Sequence, residues 1–282
     1  MAAMVTKECV ASVVYDAIVQ LACNLPDDVE RALNKAAAEE TDPRAAEVLR
    51  LLMANACVAR EDGVAICQDT GSTWVCLEIG PDVMVSGDVL ALVDDAVARA
   101  YNDAHLRKSL VRDALFDRTN TGDNTPAFSE VHLVDQPGAR LHVMLKGGGS
   151  DNASRVVMLT PGAGRAGVID EVLACVRAKA ANACPPLVIG IGVGGTFDKV
   201  AGLAKRALMR PLDVPAADER TAAFEAELLG RVNALGIGAG ALGGAHTALG
   251  VRVATAPCHI AALPLAINMG CSAMRRATYE LD

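Results

Sequence analysis

Large aromatic side chains are scarce in this sequence, with one Trp, three Tyr and four Phe among 282 residues. A core without them must be filled by Ala, Val, Leu and Ile at close backbone approach, which suits helices and glycine-rich turns. The same scarcity removes the platforms on which unpaired bases stack, and the formal net charge of −8 removes the basic field that nucleic acid requires. Both absences argue against nucleic acid as a partner, and an anionic small molecule would need a local basic pocket. The sequence also lacks any CxxC pair. Its nine cysteines, at 9, 23, 57, 67, 76, 175, 184, 258 and 271, are odd in number and widely separated. That spacing disfavours a disulfide framework, a zinc ribbon and a ferredoxin-type run. An export signal is not evident either: Lys7, Glu8 and Asp16 interrupt what would be its apolar region, so a cytoplasmic location is expected.

Apolar material is plentiful, at 52% of residues, and the length suits one large domain. Two long uncharged stretches, 232–251 and 253–274, match a membrane span by length alone. The first holds six glycines with Asn233 and His246, and the second holds Pro257, His259, Pro264 and Asn268, so both read as buried backbone and no membrane is expected. Val10, Val13, Val14, Ala17, Ile18 and Leu21 keep helical spacing, and Asp42-Pro43 opens a further helix. Short strands are expected at 64–66 and 73–79, a helix at 87–105, a hairpin of 131–134 with 140–145, helices at 168–181 and 217–235, and a strand at 248–254. The expected fold is a mixed α+β single domain over residues 1–282. Helices surround small, largely antiparallel sheets, and residues 1–60 form an all-helical N-terminal segment.

Several short motifs carry chemistry. Lys146-Gly-Gly-Gly-Ser-Asp-Asn152 leaves backbone amides open to an anion, with Lys146 supplying charge at the rim. Gly190, Gly192 and Gly195 satisfy GxGxxG between a strand and a helix, so a nucleotide-binding module is one reading. Residues 209–215, which follow, carry two prolines and no strand ending in a ribose-binding acid, which weakens it. Cys67 opens a turn, Cys184 precedes Pro-Pro and Cys271 follows Gly270, whereas Cys9, Cys23, Cys57 and Cys175 fall on helical patterns as small buried hydrophobes. Three thiolates converging from turns select zinc or an iron-sulfur cluster and leave one metal position open. A zinc-bearing scaffold and a Lewis-acidic enzyme both remain compatible with that pattern.

Taken together, CQDTG at 67–71, LRKS at 106–109, NTGDNTP at 120–126, KGGGSDN at 146–152, CPPLVIGIGVGGT at 184–196, GIGAGALGG at 236–244 and PCHIAALPLAINMGCSAMRR at 257–276 run in order along the chain. This set resembles the alpha subunit of the iron-sulfur hydro-lyases of the class I fumarase and L-tartrate dehydratase family. The resemblance implies a 4Fe-4S cluster held by Cys67, Cys184 and Cys271, with one iron not ligated by protein. It implies catalytic roles for Asp69 and His259, and substrate contacts from Gln68, Arg107, Lys146 and a glycine amide near Gly149. The implied reaction is reversible hydration of fumarate to L-malate, or dehydration of L-tartrate to oxaloacetate, so the substrate is a C4 dicarboxylate. Single-chain members carry a second domain that supplies the proton-abstracting group, so a separate beta subunit in a two-fold hetero-oligomer is expected. Asp151 stands where Glu is common in the family.

Overall fold

A computed structural model describes residues 3–281; residues 1, 2 and 282, which the 1–282 domain and the 1–60 segment include, lie outside the described residues. The elements in its first half are β1 (Ala3–Val5), α1 (Lys7–Cys23), α2 (Asp27–Glu39), α3 (Pro43–Asp62), β2 (Ser72–Ile79), β3 (Val83–Val85), α4 (Val93–Asp103), β4 (Phe128–Leu133) and β5 (Ala139–Lys146). There follow α5 (Gly148–Asn152), β6 (Arg155–Leu159), α6 (Gly164–Lys179), β7 (Leu187–Gly195), α7 (Phe197–Ala207), α8 (Glu219–Asn233), β8 (Ala248–Cys258), β9 (Leu263–Gly270) and β10 (Arg275–Leu281). The mixed α+β class expected from sequence is borne out. The chain divides into two compact units: Met1–Pro26 with Ala56–Gly148 and Arg275–Asp282, and Asp27–Asn55 with Gly149–Met274.

In the first unit a four-stranded sheet has the order β10-β5-β2-β4, with β5 antiparallel to both neighbours and β4 parallel to β2. Alternation sorts its faces. Val75, Leu77, Leu141, Val143 and Leu145 bury one face against Val10, Val14 and Ile18 of α1 and Val93, Val97 and Tyr101 of α4. Helix α1 starts where Thr6 accepts a hydrogen bond from the Cys9 amide at 3.3 Å, satisfying one orphan donor. The apolar spacing read in the sequence is the buried stripe of this helix.

Four local expectations are corrected here. Residues 64–66 form no strand, because Ile66 donates its N–H to Ala22 O at 2.9 Å instead of to a neighbouring strand. The 87–105 helix shortens to α4, since Asp88 turns the chain by accepting from the Leu90 amide. The expected hairpin does not form: β2 lies between β4 and β5 and pairs with both. A short strand, β1, precedes the helices of the N-terminal segment and pairs in parallel with β3.

The second unit has a sheet of order β6-β9-β7-β8, in which β9 is antiparallel to β6 and β7, and β8 is parallel to β7. Leu187, Ile189 and Ile191 face Val168, Val172 and Val176 of α6 and Leu228 and Val232 of α8. The alternate residues of β7 are glycines, and α7 lies directly on them. A methyl group on Gly190 would stand 2.3 Å from Ala204 O, and one on Gly192 would stand 2.5 Å from Val200 O. The GxGxxG spacing is thus accounted for by close helix-on-strand packing. At the start of α7, Thr196 Oγ1 donates to Asp198 Oδ1 at 2.5 Å, and that carboxylate occupies the first turn, where a phosphate would have to sit.

Gly190→Ala is expected to lower the urea midpoint, at a cost of about 1–3 kcal/mol from overpacking. Gly230→Ala in α8, where an added methyl meets nothing within 4 Å, should instead raise it, by about 0.5–1 kcal/mol. Equal shifts for the two would contradict the contact between β7 and α7.

Candidate active site

The turn at 67–71 is built from below by buried polar atoms of the first unit. Gly71 has φ of +82°, and a Cβ there would lie 2.8 Å from the backbone nitrogen of Lys146, so only glycine lets the turn meet the end of β5. Tyr101 donates its hydroxyl to Thr70 O and Gly71 O, at 3.0 and 2.9 Å. Burial pushes the Tyr101 phenol above its ordinary pKa, which keeps it a donor through neutral pH. Asn124, fully buried with φ of +66°, donates from Nδ2 to Gly71 O at 3.1 Å and accepts at Oδ1 from the Ser109 amide at 2.7 Å. Thr70 Oγ1 donates to Arg107 O at 2.5 Å. CQDTG, LRKS and NTGDNTP therefore converge on one another within this unit.

Above that network Asp69 accepts at Oδ1 from the Gly71 amide (3.0 Å) and at Oδ2 from the Gly148 amide (2.8 Å). The Arg107 guanidinium approaches Oδ1 at 3.9 Å, with 57% of its side chain exposed and only weak contacts, at 3.3 and 3.4 Å, to Ser109 Oγ. Cys67 Sγ accepts from the Asp69 amide at 3.4 Å and lies 3.4 Å from Gln68 Oε1. Lys146 is only 2% exposed, which corrects the expectation that its charge stands at an open rim. The exposed Arg107 guanidinium thus stands beside one carboxylate in a chain whose net charge is −8.

In the second unit, Cys184 ends a short 3-10 turn in the left-handed region (φ +55°) with its side chain exposed. Ser272 donates its amide to Cys184 O at 3.0 Å, which brings Cys271 alongside. Gly149 packs on the turn leading to Cys184, since a Cβ there would lie 3.0 Å from Asn182 O. The glycine-rich 236–244 loop closes on the next residue: Gly240 donates to Pro185 O at 2.9 Å. Glu40 braces that loop by accepting from the Ala245 amide at 2.9 Å. Burial pushes the Glu40 carboxyl up, but the amides of Asp42, Ala245 and Thr41 outweigh it and hold the pKa low.

The structure does not bring His259 to this group. Val188 at the start of β7 pairs with Gly270, whereas Gly195 at its end pairs with Cys258. His259 therefore stands at the opposite end of the sheet from Cys184 and Cys271, a strand length of roughly 25 Å away. There it is exposed, accepts at Nδ1 from the Ala261 amide at 3.1 Å and edges a cavity of about 650 Å³ with Arg165, Phe224 and Thr255.

The three turn cysteines form no disulfide among the described residues, are half-buried or exposed, and lie outside the helices and strands. Such soft, accessible donors, one of them already receiving an N–H, fit an iron-sulfur group better than a hard cation. Sequence reading missed Arg275, Asn124 and Tyr101. Arg275 was visible within the MRR of the last motif, but only the pairing of β10 with β5 reveals that its Nη2 reaches Asp69 O, at 2.8 Å. Its Nε and Nη1 are buried without a hydrogen-bond partner among the described residues.

A family model described as fumarate hydratase (Fumerase) matches residues 11–280. A Methanocaldococcus jannaschii protein provisionally named L(+)-tartrate dehydratase subunit alpha is 36% identical over 275 residues, covering 95% of this chain and 96% of its own. The L(+)-tartrate dehydratase alpha subunits of Escherichia coli K12 and Shigella boydii are each 30% identical over 262 residues, covering 92% of this chain and 86% of their own. The chain belongs to the fumarate hydratase (Fumerase) family, a family of hydro-lyases. The resemblance read from its motifs is borne out.

Asn124→Ala would strand the Ser109 N–H and the Asn124 share of Gly71 O, and would place alanine at positive φ. A loss of about 2–4 kcal/mol is expected in denaturant unfolding. Asn34→Ala, whose exposed side chain makes one bond to Glu30 O, should change stability by less than about 0.5 kcal/mol. A neutral Asn124→Ala would contradict the network.

Proposed function

We propose that this chain is the cluster-bearing alpha subunit of a two-component hydro-lyase acting on a C4 dicarboxylate, with fumarate and L-malate as its substrate pair. The observation that carries the reading is the exposed Arg107 fork beside the amide-held Asp69 and the Cys67 sulfur. A planar guanidinium with few competing bonds suits one carboxylate of a dicarboxylate. Gln68 offers an amide next to it, and Gly149, lacking a side chain, lets a ligand oxygen approach its backbone. Asp69, with both oxygens already accepting from backbone amides, holds the turn and Arg107 in register and is the nearest carboxylate to receive or return a proton. Lys146, buried, contributes charge from beneath the turn rather than direct contact.

Cys67, Cys184 and Cys271 would hold a 4Fe-4S cluster whose open iron, when bound, supplies a Lewis acid for the substrate hydroxyl and carboxylate. The group that removes the carbon-bound proton comes from a beta subunit, a reading supported by the words "subunit alpha" in the names of the relatives. The working enzyme is then a hetero-oligomer with two-fold symmetry. His259, remote from the cysteine pair within its own unit, is given no contact with the reacting atoms of the same copy. Nine cysteines without a disulfide among the described residues fit a reducing cytoplasm. Dehydration of L(+)-tartrate to oxaloacetate is the second reading, favoured by those same names.

After anaerobic purification with its partner subunit, the wild type should show broad visible absorbance. Cys67→Ser should abolish it, while Cys175→Ser should leave it, because that thiol is buried and held above its ordinary pKa by burial. Retention of the absorbance in Cys67→Ser removes that residue from the ligand set. Arg107→Ala should raise KM for the dicarboxylate about 10- to 100-fold with the cluster intact, as expected for one lost charge-assisted contact. Parallel assays on fumarate, L-malate and L(+)-tartrate decide the substrate, and activity on none of them overturns the reading.

A further inference from the structure

The face of the first unit's sheet that turns away from α1 and α4 carries a group of side chains of the types that ligate metals. Cys76 on β2 stands directly across from Glu130 on β4, and His132 lies two residues further along β4 on the same face. The Cys76 sulfur, a Glu130 oxygen and a His132 ring nitrogen all lie within 4.8 Å of one another. The fixed register of neighbouring strands sets the Cβ spacing from which these three side chains reach one another.

We propose that Cys76, Glu130 and His132 form a site for one zinc-class divalent cation that pins the edge strand β4 to β2. The mixture of sulfur, imidazole nitrogen and carboxylate oxygen selects a borderline metal such as zinc or cobalt over magnesium or calcium. Metal-to-ligand bonds of about 2.0–2.3 Å in a tetrahedron set the ligands about 3.3–3.8 Å apart, so adjustments of about 1 Å close the site around an ion. The carboxylate is already oriented: Glu130 accepts from Trp74 Nε1 at Oε1 (3.1 Å), leaving Oε2 3.0 Å from His132 Nε2. An outer hydrogen bond that fixes a ligand in this way is the usual support of a metal centre. Access comes from the edge, because the Glu130 and His132 side chains are 31% and 34% exposed although Cys76 is buried. A water completes the fourth position.

The site has work to do there. Strand β4 is bound to the sheet on one side only, and its Phe128 and Leu133 side chains are exposed, so little apolar burial holds it. It follows directly on the loop that delivers Asn124 to the turn at 67–71. An ion clipping β4 to β2 would steady that loop from behind.

The test is cobalt(II) binding by the full-length chain under anaerobic conditions, followed by thiolate-to-cobalt absorbance and metal analysis. One equivalent should be lost in Cys76→Ser and in the less invasive His132→Gln, and retained in Cys67→Ser. Zinc should raise Tm of the wild type and do so less in His132→Gln. No cobalt bound by the wild type, or equal binding in wild type and His132→Gln, would overturn the proposal, as would loss of all binding in Cys67→Ser alone.

Discussion

The hydrogen bonds beneath residues 67–71 are the constraint on which the first unit's chemistry depends. A turn that exposes a sulfur, an amide and a carboxylate together must have its own backbone carbonyls satisfied from the inside, since buried unpaired carbonyls cost free energy. Tyr101, Asn124 and Arg275 do this from three different elements. Because all three are buried, the network fixes the turn while the Arg107 guanidinium stays exposed above it. Buried support beneath and an exposed guanidinium above suit the anion-binding role proposed for this turn.

The second unit solves a different problem by packing. Glycines in β7 admit α7 to within backbone contact, which frees the opposite face for α6 and α8. The sheet then becomes a rigid spacer. One of its ends holds Cys184, Cys271 and Gly149, and the other holds His259 and its cavity. Glu40 and Thr247 tie the glycine-rich loop that borders the cysteine end.

Much of this was legible in the sequence where local chemistry decides. Helical spacing gave α1, Asp42-Pro43 gave the start of α3, whose cap Asp42 provides to the Arg44 and Ala45 amides, and the motif set gave the family. What was not legible depends on strand order. The segments 131–134 and 140–145 look like a hairpin because their turn residues are right, yet β2 intervenes. GIGVGG looks like a phosphate loop because the spacing is right, yet α7 closes over Gly190 and Gly192 and the Ala256 backbone closes over Gly194. Lys146 looked exposed beside three glycines, but pairing of β5 with β2 and β10 draws it inside. Arg275 stood within the last motif but its contact with Asp69 O was not legible, and the group around Cys76 had no local signal, since each is assembled by strands distant in sequence.

The central proposal is that the sulfurs of Cys67, Cys184 and Cys271 would share one iron-sulfur cluster. Anomalous diffraction at the iron edge, from crystals of the anaerobically purified enzyme, tests it most directly. The account predicts iron at bonding distance from all three sulfurs and one iron without a protein ligand. Iron bonded to a different set of residues, or to only one of these sulfurs, would contradict it.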